Sequence, residues 1–340
     1  MTDSLADPGR LGDSGRLVSR RRASGRLALS GRLAASWRVG FGQPWLADPR
    51  LGALMAVVLW LAVVAMAAPI GRSFGTGQEA IAYWSAPLAD PYATSEWTLP
   101  GGYVYSPAFL QLVSPLTRLP WLAFMAVWAA ILLVTLRLLT GHRWFILGVL
   151  AAAMEIAGGN ISLLLGVAIV AGFRWPAAWA FVLLTKITPG IGLLWFALRR
   201  EWRSLAMALG ATALIVLVSV ILMPTAWPEW IEVLRRATRH DGTPAAVPVP
   251  FLVRLPFALA LLVWGARTDR RWTVPVASML ALPALWFGSL TMLLAVIPLL
   301  KADGDGSVRA VRPATRAGDG RATRHRRADR ILGPHPTRSD

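Results

Sequence analysis

The chain has 340 residues, of which 55% are hydrophobic and only 16% are charged, and its mean hydropathy is +0.52. A soluble globular protein carries about 25% charged residues, so this composition indicates a membrane protein. The chain contains no cysteine, which excludes disulfides, cysteine-ligated zinc and thiol catalysis.

Much of the net charge of +17 lies at the two ends of the chain: residues 1–50 contain nine arginines, and residues 301–340 contain ten lysines and arginines. A basic chain can bind nucleic acid, but neither end interleaves its arginines with aromatic residues. We therefore predict a basic disordered cytoplasmic arm at 1–50, a transmembrane domain at 51–300 and a basic disordered cytoplasmic tail at 301–340. No nucleic-acid partner is expected.

The apolar segments predict an all-α polytopic membrane protein. The first span is 51–69, a polar and aromatic outer loop follows at 70–106, and a short apolar piece at 108–119 precedes the span 121–140. Further predicted spans are 144–157, 161–173, 176–186, 188–199, 203–223, 251–266, 272–284 and 286–300. If each segment crosses, the fold is a bundle of about ten transmembrane helices with a large first outer loop.

Several of these segments are too short to cross a bilayer alone. Thirteen helical residues cover roughly 20 Å, whereas the hydrocarbon core is about 30 Å thick. Polar breaks at Gly158-Gly159-Asn160 and at 186–189 separate two pairs of such segments. Irregular backbone at this depth requires protein or trapped water to satisfy it. The segments are therefore either short helices that meet in a cavity or parts of longer, kinked helices.

If there are ten crossings, most of the short loops that contain arginine lie on the same side of the membrane as the two tails, as the positive-inside rule requires. Three arginines depart from this pattern and would lie outside: Arg235, Arg236 and Arg239. Two interpretations stay open for them. They bind an anion such as a lipid phosphate, or they form the solvated basic face of an interfacial helix, PEWIEVLRRA.

The first outer loop contains the carboxylates Glu79 and Asp90 close to the first span. A carboxylate in this position can act as a general base toward a hydroxyl group at the membrane surface. All four tyrosines of the chain also lie in this loop: Tyr83, Tyr92, Tyr103 and Tyr105. We predict that they stack on sugar rings; the alternative is an aromatic belt at the interface.

Polar residues at the two breaks are further candidates. Glu155, five residues before Asn160, is either a buried carboxylate that faces a cavity or the interfacial end of a short helix. Lys186 is one of two lysines, and its compact charge suits a phosphate group. The alternative is a lysine that snorkels to the interface. Pro189 favours a broken helix and hence a cavity site.

The order of these motifs resembles glycosyltransferase family 87. In the outer loop the resemblance rests on Glu79 with Tyr83, on Asp90-Pro91-Tyr92, and on Tyr105-Ser106-Pro107 before an apolar run that ends SPLTRLPW. Downstream it rests on GGNISLLLG and TKITPGIGLLWFALRREW, and it covers roughly residues 50–300. Members of this family are polyprenyl-phosphate-mannose-dependent mannosyltransferases of the GT-C class.

The resemblance implies a glycosyltransferase of the cell (cytoplasmic) membrane with both termini in the cytoplasm. It would move a hexose, with mannose favoured, from a polyprenyl-phosphate sugar to a lipid or polysaccharide acceptor on the outer face, without a cofactor or a metal. Glu79 is the expected base, with Asp90 as the second candidate. The expected substrate-binding residues are Tyr83, Tyr92, Tyr105, Asn160, Lys186, Arg235, Arg236 and Arg239.

The chain departs from the family pattern at two places. The family usually has aspartate at the position of Glu79, and the late outer loop reads PAAVPVPFLVRLP where the family often shows an Asn-x-Ser element. Two other functions therefore stay open: a lipid or sugar transporter or flippase, since broken helices also mark transport pathways, and an inactive relative that serves as an assembly partner.

Overall fold

The computed structural model describes residues 44–67, 76–93, 102–239 and 249–311, with backbone alone at 237–239 and 304–311. Most of the predicted basic arm and tail therefore lies outside the described residues, as do two parts of the first outer loop. Within the described ranges, all regular secondary structure is helical.

Thirteen α-helices lie in the described part of the chain, joined in places by short 3₁₀ helices at Pro44–Ala47, Pro176–Ala178, Thr188–Leu193 and Gly288–Ala295. The α-helices are α1 (Pro49–Met66), α2 (Ala80–Ser85), α3 (Pro107–Thr117), α4 (Trp121–Thr140), α5 (Phe145–Gly158), α6 (Ser162–Gly172), α7 (Trp179–Thr185), α8 (Leu194–Leu198), α9 (Trp202–Leu222), α10 (Ala226–Arg239), α11 (Phe251–Thr268), α12 (Thr273–Leu280) and α13 (Val296–Val311).

Four helices of the described part are long and apolar enough to cross a membrane: α1, α4, α9 and α11. A fifth crossing results if α5 and α6, which meet at an angle of 117°, are counted as one broken span. The prediction of an all-α polytopic membrane protein with several short or broken segments is thus confirmed. The other apolar helices are shorter, so a total of about ten crossings stays a prediction.

The central helix of the bundle is α4. Half of the residues in its most apolar stretch are buried inside the protein, compared with 11% for α1 and for α9. Those two helices therefore leave most of their surface to lipid. α4 packs against α1, α5 and α6, and a series of stacked rings runs along it from Trp121 through Phe124 to Trp128. These large buried rings fix the positions of the helices around α4.

Both predicted helix breaks are present. α5 ends at Gly158, and Gly159 adopts a left-handed conformation with φ of +72° that ends a helix and suits glycine. At the second break α7 ends at Thr185, Lys186 is extended, and a 3₁₀ helix begins at Thr188. Pro189 in this first turn has no amide hydrogen to leave unsatisfied, which agrees with its position.

A buried arginine secures the turn after α12. The Arg254 side chain is 5% exposed and donates to three backbone carbonyl groups: those of Val249 at 2.9 Å, Leu280 at 2.9 Å and Pro283 at 2.8 Å. The Leu280 and Pro283 carbonyls lie at the end of α12 and just after it, where helical partners are missing. Arg254 therefore anchors the segment that leads to the 3₁₀ helix at Gly288–Ala295.

We expect Arg254→Lys to lower the stability of the protein. A lysine keeps the charge but lacks the planar fork that reaches three separate carbonyls, so the loss is about 1–3 kcal/mol. The measurement is the midpoint of thermal unfolding in detergent. Arg267→Lys, an exposed position on the same helix, is the matched control. Equal midpoints for the two variants would contradict this role of Arg254.

Candidate functional site

The first outer loop is attached to the end of α5 by its backbone. The amide of Gly77 donates to the carbonyl of Ala157 at 2.6 Å, and the amide of Glu79 donates to the carbonyl of Gly158 at 2.9 Å. These carbonyls belong to the last turn of α5, which has no helical partners for them. The predicted break thus provides the acceptors that place Glu79, at the start of α2, beside the interior of the protein.

Glu155 lies in the same last turn of α5 and is enclosed by protein, with 2% of its surface exposed. One carboxylate oxygen, Oε1, accepts a hydrogen bond of 2.7 Å from the amide of Ser162 at the start of α6. The other, Oε2, is buried and has no hydrogen-bond partner. Of the two interpretations of Glu155, the structure supports the buried carboxylate and not the interfacial helix end.

Glu155 is the common electrostatic neighbour of the two main predicted residues. The charges of Lys186 and Glu79 both act on its carboxyl group, although neither residue is among the ion pairs of the described part. An acid from the outer loop and a cation from the second helix break therefore both act on the same carboxyl group. Lys186 itself is half-buried, so the interior site and the lysine that snorkels to the interface both stay predictions.

Two serine side chains hold the backbone around Lys186. The hydroxyl of Ser106, in the outer loop, donates to the carbonyl of Leu184, and the hydroxyl of Ser278 in α12 donates to the carbonyl of Pro189 at 2.9 Å. The first bond satisfies a carbonyl in the last turn of α7, and the second attaches the first turn of the following 3₁₀ helix to α12. The position of Lys186 is therefore set by contacts from distant parts of the chain.

The four tyrosines form a buried cluster, each at most 6% exposed. The hydroxyl of Tyr92 donates to the carbonyl of Tyr105 at 2.7 Å, and that of Tyr103 donates to the carbonyl of Ser106 at 2.7 Å. The hydroxyls of Tyr83 and Tyr105 lie 3.3 Å apart. Their ring faces pack against protein in this conformation, so sugar stacking on Tyr83, Tyr92 or Tyr105 stays a prediction.

Tyr83 and Tyr105 are the tyrosines nearest to the acids. Burial, followed by Tyr105 and Glu79, raises the pKa of Tyr83 well above its usual value, and burial together with Glu79 raises the pKa of Tyr105. Both phenols therefore stay protonated at neutral pH. In their shared hydrogen bond one hydroxyl donates to the other, which leaves the hydrogen of the second hydroxyl as a donor.

The other predicted residues lie at varying depth. Asn160 is 8% exposed at the first break, where its side-chain oxygen accepts from the amide of Ile161 at 2.7 Å. Asp90 is exposed, whereas Glu79 is half-buried. Of the two candidate bases, Glu79 is therefore the one that the loop attaches to the buried cluster.

Helix α10 borders this region through its apolar face. The indole of Trp230 donates to the carbonyl of Val104 at 3.2 Å, and Glu229 interacts electrostatically with Tyr92. Arg235 and Arg236 are exposed, and Arg235 lies 3.8 Å from Glu232 on the same helix. The structure describes Arg239 by its backbone alone. The strongly amphipathic pattern of α10 suits a helix that lies on the membrane surface.

Gly288 is a residue of this region that the sequence analysis did not single out. A Cβ atom at this position would lie 2.3 Å from Oε2 of Glu155 and 3.8 Å from Nδ2 of Asn160. Only glycine lets the start of the 3₁₀ helix approach the buried acid so closely. The sequence WFGSL offered no local signal for this approach, because the contact joins segments more than 100 residues apart.

The comparison with protein families identifies the chain. The model of Glycosyltransferase family 87 matches residues 103–311, more than half of the sequence. The chain belongs to glycosyltransferase family 87. It is therefore a membrane glycosyltransferase by family, and the resemblance found in the sequence is confirmed. No curated protein and no solved structure matches it significantly.

The segment that matches glycosyltransferase family 87 covers one side of the candidate site. It contains Tyr105, Asn160, Lys186 and the arginines of α10, whereas Glu79 and Asp90 precede it. The assignment of a base therefore rests on the geometry of the loop. In the described residues no group of three or more His, Asp or Glu side chains is arranged to hold a metal ion.

We expect Gly159→Ala to detach the outer loop from α5. Alanine in a left-handed conformation costs about 1–2 kcal/mol, and its Cβ would also lie 2.5 Å from that of Ala80. The midpoint of thermal unfolding should fall. Gly158→Ala is the matched control, since a Cβ there meets nothing within 4 Å. Unchanged stability in Gly159→Ala would show that the loop does not depend on this approach.

Proposed function

We propose that this member of glycosyltransferase family 87 transfers a hexose, with mannose favoured, from a polyprenyl-phosphate sugar to a lipid or polysaccharide acceptor. Transfer takes place at the outer face of the cell membrane. The donor is the lipid-phosphate sugar itself, and the proposed transfer requires no further cofactor.

One observation carries this proposal: the amide of Glu79 donates to the carbonyl of Gly158 at 2.9 Å, in the same turn of α5 as the enclosed Glu155, and the charge of Lys186 also acts on Glu155. A sugar that is already activated on a phosphate needs a base for the acceptor hydroxyl and a cation for the departing phosphate. The outer loop contributes the acid, and the interrupted helix contributes the cation. Family membership gives the reaction class in which these two groups are useful.

The proposed reaction is a substitution at the anomeric carbon of the donor. Glu79 takes the proton of the acceptor hydroxyl while the acceptor oxygen bonds to that carbon. The bond between the anomeric carbon and the phosphate oxygen breaks, and polyprenyl phosphate departs with the electron pair. Lys186 stabilises the negative charge that develops on the phosphate. The products are the glycosylated acceptor, polyprenyl phosphate and a protonated Glu79.

Glu155 serves as a positioning residue in this scheme. It accepts from the amide of Ser162 at 2.7 Å and so fixes the start of α6, and its charge attracts Lys186. We infer that Glu155 orients Lys186.

The remaining candidates surround these groups. The hydroxyls of Tyr83 and Tyr105 share one hydrogen bond, and the hydroxyl that accepts in it can donate to a sugar or acceptor oxygen. Asn160 lies at the same break as Glu155. Tyr92 supports the loop through its bond to the carbonyl of Tyr105. The exposed arginines of α10 can attract the anionic headgroup of the donor from the membrane surface.

We expect Glu79→Gln to reduce sugar transfer by about 10²–10⁴-fold, because the amide cannot accept the proton. The measurement uses membranes with and without the protein, supplied with radiolabelled polyprenyl-phosphate mannose, followed by analysis of the labelled lipids and polysaccharides. Glu79→Asp, which restores the acid usual in the family, is the matched control and should retain activity.

Each other outcome of this assay has a definite meaning. Full activity in Glu79→Gln with loss in Asp90→Asn would move the role of base to Asp90. No transfer by the unaltered protein, combined with movement of intact donor across liposomes, would overturn the proposal in favour of a flippase. No transfer and no movement would support an inactive assembly partner.

The orientation can be tested separately, since the chain has no cysteine of its own. We propose that both termini are cytoplasmic and the first loop is external. Single cysteines replace Leu88, exposed in the first loop, and Arg143, exposed in the turn after α4. A membrane-impermeant maleimide should label intact cells only in the Leu88→Cys protein and label both after permeabilisation. The reverse result would invert the topology.

A further inference from the structure

A cavity with a polar wall and an apolar wall lies at the end of the helix bundle opposite to the first outer loop. The cavity, of about 300 Å³, opens between the start of α1, the end of α4 and the start of α5. We call it the α1–α4–α5 groove. Its polar wall contains Arg137, His142 and Asp48, and its apolar wall includes Leu133, Val134 and Ala53.

Among the described residues, the arginine of the groove has no acidic partner. Arg137 is exposed, its guanidinium Cζ lies 5.8 Å from the centre of the Phe145 ring, and the ion pairs of the described residues do not include it. The carboxylate of Asp48 instead caps α1 by accepting from the amide of Arg50 at 2.8 Å. Arg137 is therefore held in place by an aromatic ring while its N–H donors stay available to an anion.

The apolar wall extends from the charged mouth into the membrane. Leu133 and Val134 precede Arg137 by about one helical turn along α4, and Ala53 lies one turn beyond Pro49 in α1. Both helices are long and apolar enough to cross the bilayer, and both have these ends at the groove. A ligand that fills it therefore needs an anionic head and a hydrocarbon part.

We propose that the α1–α4–α5 groove binds an anionic glycerophospholipid of the leaflet at which α1 begins. Arg137 is a bidentate hydrogen-bond donor to the headgroup phosphate, and His142 makes a second polar contact. An acyl chain packs along Leu133, Val134 and Ala53. Basic clefts between transmembrane helices are suited to such headgroups. A water-soluble phosphate would leave the apolar wall uncovered, which makes the lipid the better match.

Binding at this position connects three segments of the fold. α1, α4 and α5 all border the groove, and α5 leads from it to Glu155 and the first helix break. A lipid that binds the folded protein and not the unfolded chain raises its apparent stability. The groove is separate from the proposed transfer reaction, so its occupancy can be measured whether or not the protein transfers sugar.

The experiment uses the full chain, purified in detergent and titrated with phosphatidylglycerol or phosphatidylcholine, with native mass spectrometry to count bound lipid. We expect phosphatidylglycerol to be retained preferentially and to raise the unfolding midpoint. Arg137→Gln should weaken retention about five- to tenfold, the value of one arginine at a membrane surface. Arg143→Gln is the matched control: it removes the same charge six residues further along the chain, in the turn after α4, but Arg143 does not line the groove.

A second variant tests the apolar wall and keeps the proposal testable if the Arg137→Gln protein does not fold. Val134→Trp keeps every charge and fills the groove, so it should also reduce retention of phosphatidylglycerol. Equal losses in Arg137→Gln and Arg143→Gln would show general surface attraction and overturn the proposal. An equal effect of glycerol 3-phosphate would show an anion site without a lipid requirement, which would also overturn it.

Discussion

A helix that stops inside a membrane leaves carbonyl groups without partners, and the bilayer offers none. In this protein, distant segments supply the missing donors. The outer loop donates two amides to the end of α5, and Ser106 donates to Leu184 at the end of α7. Arg254 does the same after α12. The same bonds that make the interruptions tolerable also bring the loop, the two breaks and the 3₁₀ helix at Gly288–Ala295 to one place.

The polar groups assembled in this way have a chemical consequence. Glu155 is buried, satisfied at one oxygen only, and under the influence of both Glu79 and Lys186. A charge at this depth is costly, so such groups are usually functional. Membership of glycosyltransferase family 87 supplies a reaction in which a base and a cation side by side are useful. The buried tyrosines fill the loop with rigid rings, and their hydroxyls bond to one another and to backbone carbonyls of the loop.

The two ends of the helix bundle differ in where their charged side chains lie. At the outer-loop face, Glu155 is enclosed and accepts from a backbone amide, and Glu79 and Lys186 are half-buried. At the opposite face, Arg137 and His142 stay at the mouth of the α1–α4–α5 groove, above an apolar wall. α5 spans the distance between these regions, with Phe145 at one end and Glu155 near the other. One helix thus borders both the proposed reaction site and the proposed lipid site.

The sequence by itself determined the class of the protein, its helical nature, both helix breaks and its family, because hydropathy, glycine, proline and motif order are local or linear properties. It also indicated Glu79 and Lys186, because an acid next to a transmembrane segment and a lysine within an apolar segment are both rare. It did not resolve whether Glu155 is buried, and it gave no sign of Gly288, Arg254 or the groove. Those features depend on contacts between residues distant in sequence. Only the tertiary packing around α4 decided which polar groups meet and which rings are enclosed.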